Sequence, residues 1–133
     1  MKLAIPVWEN KVSPVLDTAS RLLVVEVKED GDLSRFEIFL DERDLSRRCL
    51  RIKGIGVDTL ICGAVTRHFS DMLKASGIDI IPGISGQPDE VLSACFEGRL
   101  AHDKYLMPGW SREGLEEALK EIDLRRFNEL RNK

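Results

Sequence analysis

The chain has 133 residues, with 20 lysines and arginines against 23 aspartates and glutamates, for a formal net charge of −3. A 43% hydrophobic share beside 32% charged residues suits one globular soluble domain, and no apolar run nears the roughly 20 residues a membrane helix needs. The acidic balance argues against a nucleic-acid binder, and Cys49, Cys62 and Cys95 are too few and too scattered for a disulfide framework, so reduced thiols in the cytoplasm are expected.

Lys2 to Trp8 places Leu3, Ile5 and Val7 on one face at strand period, with Pro6 restricted to a ladder end, edge or bulge. Glu9-Asn10-Lys11 is a polar turn, and Val12 to Val15 is extended or looping. Leu22 to Lys28 begins apolar on both faces, which predicts a covered strand. Glu29-Asp30-Gly31-Asp32 reads as a hairpin turn, followed by a strand with Phe36, Ile38 and Leu40 inward and Arg35 and Glu37 outward. Asp44 then caps a helix with Leu45, Cys49 and Ile52 on its apolar stripe. Arg47, Arg48, Arg51 and Lys53 fall mostly on its other face, and with Arg43 they read as a solvated surface or as a site for an acidic partner. Gly54 and Gly56 end the helix.

Val57 to Cys62 is a short strand, and Gly63-Ala64-Val65-Thr66 turns into a helix carrying Phe69, Met72 and Leu73. Gly77 ends that helix, Ile78 to Ile81 is another strand, and Gly83-Ile84-Ser85-Gly86 leads into a helix opened by Pro88. Strand, helix, strand, helix with short links predicts parallel neighbours. The whole is an α/β domain: a ribonuclease H-like mixed sheet, antiparallel meander first and βαβ units second, flanked by helices. That domain is expected over residues 1–105. Residues 106–133 form a connector from Tyr105 to Trp110 and an amphipathic helix starting near Ser111. Leu115, Ala118, Leu119, Ile122, Phe127 and Leu130 mark its apolar face; Glu116–Lys120 and Glu121–Arg125 are its i, i+4 pairs. It docks on its own domain, on a second copy to give a homodimer, or on another partner.

Ligands of parallel sheets usually sit outside the carboxyl ends of the strands. Three loops are expected there: Trp8 to Ser13, Gly63 to Thr66, and Pro82 to Gln87. The two glycine-containing loops lead into helix N-termini, whose amides suit anions, although neither matches a P-loop or dinucleotide fingerprint; the bland alternative is that the glycines make tight turns. No cysteine or histidine spacing resembles a closed metal site. Each cysteine reads first as a small buried hydrophobe, with Cys62 bordering the loops and His68 in the first turn of its helix. Ser13, His68 and Asp17 could be assembled into a nucleophile set only by the fold. A nuclease is rejected, because the first strand holds no metal-binding carboxylate.

Met1 to Val7, Lys11-Val12-Ser13-Pro14 followed by Leu22 to Val27, and Gly56 to Ala64 together resemble the dinitrogenase iron–molybdenum cofactor biosynthesis family, the NifX, NafY and NifB C-terminal-domain group. Ala75 to Ile80 and Glu90 to Leu100 match its ending, so the resemblance spans about residues 1–100. It implies a non-enzymatic accessory or carrier protein, with cofactor-assembly or recipient proteins as partners. An iron–sulfur or iron–molybdenum-type cluster would then lie at the carboxyl end of the sheet. Trp8, Ser13, Gly63, Thr66, Gly83, Ser85 and Gly86 would line that site, and Cys62 and His68 would supply metal ligands. Family members commonly carry a His-Phe-Gly-like element where this chain has Val15-Leu16-Asp17, and a cysteine after Met-Pro-Gly where it has Trp110. The rival readings are a metal-free interaction module that dimerises through its last helix, and a binder of a small anionic metabolite.

Overall fold

A computed structural model describes residues 1–119. Its strands are β1 (Lys2–Trp8), β2 (Lys11–Val12), β3 (Arg21–Val27), β4 (Leu33–Phe39), β5 (Thr59–Ile61) and β6 (Asp79–Ile81). They form one mixed sheet in the order β4-β3-β1-β5-β6, with β2 paired to β1. The ladders among β4, β3 and β1 are antiparallel, and those from β1 through β5 to β6 are parallel. The helices are α1 (Leu45–Ile55), α2 (Arg67–Ala75), α3 (Pro88–Phe96) and α4 (Arg112–Leu119).

Strand alternation sorts the core into two layers. Leu3, Ile5, Leu23, Val25, Ile61 and Ile81 pack on one face with Val91 and Cys95 of α3 and Leu115 of α4. Ala4, Leu22, Val24, Leu60 and Ile80 pack on the other with Cys49 and Ile52 of α1 and Phe69 and Leu73 of α2. The apolar start of β3 is explained by its place between β1 and β4, under both layers. Pro6 stands beyond the Leu3–Ala4 pairing with β5, and its carbonyl accepts from the Ser13 amide at 2.8 Å, so its missing N–H lies at a ladder end.

Two expectations are corrected. Ile38 and Leu40 turn inward, but Phe36 remains 43% exposed, because β4 is the outer strand and α1 does not cover that part of it. Arg48 is not on a solvated face: it is 3% exposed, and its guanidinium donates to the carbonyls of Leu16, Ala19, Leu40 and Glu42. Burial lowers its pKa, opposed by the nearby Glu42 and Asp17 carboxylates.

The stretch after α3 is not a bare connector. A 3-10 turn at Asp103–Tyr105 leads to Leu106, which bridges antiparallel to Ile84, and Met107 donates to the Gly83 carbonyl. Tyr105 and Leu115 are buried in the same core layer as β1 and β3, so residues 106–119 pack into the body of the domain. The face expected on Ile122, Phe127 and Leu130, and the pairs reaching Lys120 and Arg125, lie outside the described residues. No described helix is long and apolar enough to cross a membrane.

Candidate functional site

Parallel pairing brings the carboxyl ends of β1, β5 and β6 to one end of the sheet, and backbone bonds tie their loops together. After β1 the chain reverses through Glu9 and Asn10, at φ 48° and 62°, which brings Lys11 opposite Trp8. Trp8, at the tip of this hairpin, is 54% exposed. Val12 donates to the Gly86 carbonyl at 2.9 Å. Ala64 donates to the Pro14 carbonyl, and Leu16 donates back to Ala64, each at 2.8 Å, around a parallel bridge of Val15 to Ala64. Gly83 donates to the Gly63 carbonyl at 2.9 Å. The three expected loops therefore meet.

Their polar groups are largely spent on one another. Thr66 donates through its amide (3.0 Å) and its hydroxyl (2.5 Å) to the Asp17 carboxylate, and the same hydroxyl accepts from the Phe69 amide at 3.3 Å. An internal carboxylate thus already occupies the start of α2, where dipole and amides favour an anion. The amides of Ile84 and Ser85 go to the carbonyls of Cys62 and Tyr105, at 2.9 and 2.8 Å. The Ser85 hydroxyl donates to Leu106 at 3.4 Å, and the buried Ser13 hydroxyl donates to Val15 at 3.4 Å. The expectation of free amides in the loop from Gly83 is corrected: Gly83, Ile84 and Ser85 all donate inside the protein. Gly83, at φ 77°, also carries the Trp110 ring; a Cβ there would lie 2.3 Å from it. Asp17 and Trp110 had no ligand-like spacing in the sequence, because their partners lie far along the chain.

Cys62 and His68 do not share a surface. Cys62 is fully buried in the layer with Leu16 and Phe69, whereas His68 is exposed on the first turn of α2. Burial, with a smaller push from Asp17, raises the Cys62 thiol to about 12, and burial raises Cys95 to about 12 as well. Cys49 is also buried, with its sulfur 3.3 Å from the Ser76 hydroxyl. All three sulfurs lie in the core rather than on the loops, Cys95 in one layer and Cys49 and Cys62 in the other. Among the described residues no group of three or more histidine, cysteine, aspartate or glutamate side chains is placed to hold a metal ion. The donor set therefore does not fit a cluster ligated by this chain's own thiolates.

The same thiols set an alkaline limit. Folded Cys62 and Cys95 keep their protons up to about pH 12, whereas an unfolded thiol titrates near 9, so the folded chain binds more protons between the two values. Stability is full below pH 9 and is lost as pH rises toward 12, by up to about 1.4 kcal/mol per pH unit for each thiol. Urea midpoints measured at pH 8 and pH 10.5 should show this fall, and replacing both cysteines with serine or alanine should flatten it. In parallel, a thiol-reactive dye should label the folded chain at pH 8 far more slowly than the denatured one.

Two grooves flank the loop cluster. One, of about 490 Å³, lies between the uncovered face of β3–β4 and the start of α3, lined by Arg21, Arg35, Glu37, Gln87 and Asp89. The other, of about 540 Å³, runs beside β6 between α2 and α4, lined by Lys74, Ile80, Pro82, Trp110 and Glu117.

Residues 1–98 match the family model described as "Dinitrogenase iron-molybdenum cofactor". The chain belongs to this family. The match bears out the resemblance carried by the first 100 residues. A curated relative, an uncharacterized protein of Methanocaldococcus jannaschii, is 25% identical over 109 residues, 75% of this chain and 89% of that protein. Among solved structures, PH0822 aligns at a TM-score of 0.70 with 16% identity, covering 85% of this chain and 98% of its own. The apo form of the orange protein from Desulfovibrio gigas aligns at 0.62 with 16% identity, covering 74% and 88%. At these identities the structural likenesses establish the fold alone. In this member of the dinitrogenase iron–molybdenum cofactor family, Thr66 is bonded to Asp17 and Trp110 is seated on Gly83.

Proposed function

We propose that this chain is a non-enzymatic accessory or carrier protein of cofactor biosynthesis, taking a metal cluster or cluster precursor as cargo on the loops at the carboxyl end of the sheet. The single observation that carries this reading is the convergence of the loops after β1, β5 and β6, in a chain matching the family over residues 1–98. The strand order β4-β3-β1-β5-β6, antiparallel then parallel, supports a ribonuclease H-like frame beneath them.

The binding face we infer is built on Trp8, Ser13, Gly63, Thr66, Gly83, Ser85 and Gly86, with exposed Trp8 and His68 as its contact groups. Because the thiols are buried, a cargo here brings its own ligand shell, and Cys62 shapes the floor rather than binding metal. A second reading, a metal-free interaction module, is favoured by the same buried thiols. The Ser13, His68 and Asp17 set gains no support as catalytic machinery, since Asp17 is bonded to Thr66 and the Ser13 hydroxyl to a carbonyl.

Anaerobic gel filtration with a preformed, thiolate-capped iron–sulfur cluster separates the readings. The carrier reading expects co-elution at protein concentrations of about 100 µM, reduced several-fold in Trp8→Ala and His68→Ala, and no stoichiometric iron from free iron and sulfide alone. A colourless protein fraction with the capped cluster would overturn the carrier reading and leave the interaction module. Loss of co-elution on Cys62→Ala, with His68→Ala unaffected, would show that the thiol ligates after all.

A further inference from the structure

The outer strand β4 carries a pattern that the cofactor-carrier reading does not use. It pairs with β3 in unbroken register from Leu33↔Val27 to Phe39↔Arg21, without proline or bulge. The Lys2 amide and carbonyl both bond Asp58, on the β5 side of β1, so Leu3, Ile5 and Val7 direct their backbone groups toward β3. Their partners Val25, Leu23 and Arg21 face back, which turns Leu22, Val24 and Glu26 toward Ile38, Phe36 and Ser34. Leu33, Arg35, Glu37 and Phe39 are left with N–H and C=O groups pointing away from the sheet. Their strand also holds three of the molecule's exposed large hydrophobic side chains: Leu33, Phe36 and Phe39, the last 66% exposed.

Natural edges are usually blunted by charged side chains, lysine above all, by proline or by a bulge, because such a row of unpaired groups recruits another strand. β4 has no lysine, proline or bulge, and its charges are Arg35 and Glu37. Here the two charges are of opposite sign and flank Phe36 symmetrically. We propose that β4 is a self-association edge, which pairs antiparallel with β4 of a second copy across a two-fold axis at Phe36. In that register Arg35 faces Glu37 of the copy, and Glu37 faces its Arg35. Leu33 faces Phe39, and Phe36 faces Phe36. All four residues with outward backbone groups meet others of their own kind, so each pair exchanges N–H and C=O bonds. Opposite-charge and apolar cross-strand pairs are the stabilising combinations.

Shifting the axis to Arg35 or to Glu37 would set like charges directly opposite each other, and shifting it to Ser34 or Ile38 would give up both Arg35–Glu37 pairs, so the axis at Phe36 is the one that forms them. The Arg35 guanidinium, 2.7 Å from Asp89 on its own chain and half exposed, has further donors for a second carboxylate. A two-fold contact of this kind is isologous and closes after two copies, and it joins the two sheets into one.

Light scattering with size exclusion and sedimentation velocity on the full chain, at concentrations up to about 1 mM, tests the inference. The wild-type chain is expected to dimerise. Arg35→Glu and Glu37→Arg each turn two attractive pairs into two repulsive ones, so each alone should weaken the dimer by roughly 30-fold or more. Mixing these two variants in equal amounts should restore association as a heterodimer, and the double variant should dimerise with itself. Thermal melting of each variant confirms folding, since both positions are exposed. A wild-type chain that stays monomeric throughout would overturn the proposal. So would a dimer that neither single substitution weakens, which would place the contact elsewhere, for instance on the last helix. Charge swaps that weaken the dimer without rescue on mixing would also overturn this register.

Discussion

Replacing Arg48 with alanine is expected to lower the melting temperature by roughly 10 °C, from a loss of about 3 kcal/mol. The guanidinium sits inside the protein, with one terminal nitrogen on the carbonyls of Leu16 (3.1 Å) and Ala19 (2.5 Å) and the other on those of Glu42 (3.0 Å) and Leu40 (3.5 Å). It therefore joins the loop after β2 to the exit of β4. Removing it takes the guanidinium donors from the Ala19, Leu40 and Glu42 carbonyls, while Leu16 keeps the Ala19 amide at 3.2 Å. Each buried carbonyl left without a donor costs about 1–3 kcal/mol, partly offset because a buried charge is also removed. Arg48→Lys should recover little, because an ammonium lacks the planar fork that reaches both strands of the contact. Differential scanning calorimetry gives the magnitude. Hydrogen exchange should show the loss concentrated in residues 16–19 and 40–42. A melting point within about 2 °C of the wild type would contradict this account.

Gly63→Ala is the second large effect, and it acts on the candidate site itself. A Cβ at this position would lie 2.7 Å from the Pro14 carbonyl oxygen and 2.8 Å from that of Ser13. Both obstacles are backbone, so neither can rotate away. Retreat in the other direction would break the 2.9 Å bond from Gly83 to the Gly63 carbonyl. The substitution is expected to cost about 2–4 kcal/mol and to separate the β1 hairpin from the loop before α2. If the carrier reading is right, capped-cluster binding falls with it. Gly54→Ala is the matched control: it lies inside α1 with nothing near its added methyl group, and should raise stability by roughly 0.5–1 kcal/mol. Urea unfolding of the two variants side by side should show opposite signs. Equal, small effects would mean that the loops at Gly63 can separate freely.

Much of the fold was legible because it depends on neighbours in sequence. Asp44 caps α1 as its position suggested, accepting from the Ser46 and Arg47 amides at 2.7 and 3.2 Å. Asp30-Gly31 makes the hairpin turn, with Gly31 at φ 89°. Thr66 and Pro88 open their helices, and the alternation along β1 and β3 assigns side chains to the two core layers. The meeting of the three loops was legible too, because short links between parallel strands leave little choice of topology.

The exceptions share a cause. Period-2 spacing put Phe36 on the same side as Ile38 and Leu40, but no local pattern tells whether a helix will cover that part of an outer strand. Helical spacing put Arg48 with its basic neighbours, but the carbonyls that draw it inward come from segments up to 32 residues away. At the candidate site, glycine and helix-start signals pointed to available amides. Whether an amide is available depends on what folds against it, and here Asp17, Tyr105 and Cys62 supply the acceptors.

By itself, then, the sequence determined the elements, their order, the sheet's change from antiparallel to parallel, and membership of the dinitrogenase iron–molybdenum cofactor family, because these follow from short-range periodicity and from motifs read along the chain. The burial of the three cysteines, expected from their apolar surroundings, holds as well. Only the tertiary structure decided that Arg48 is drawn inside, that the loop amides are internally paired, and that the 43% exposed Phe36 stands at the middle of an open edge between Arg35 and Glu37. Burial and hydrogen-bond satisfaction depend on surfaces that distant segments bring together, and a linear pattern names those surfaces without saying which of them meet.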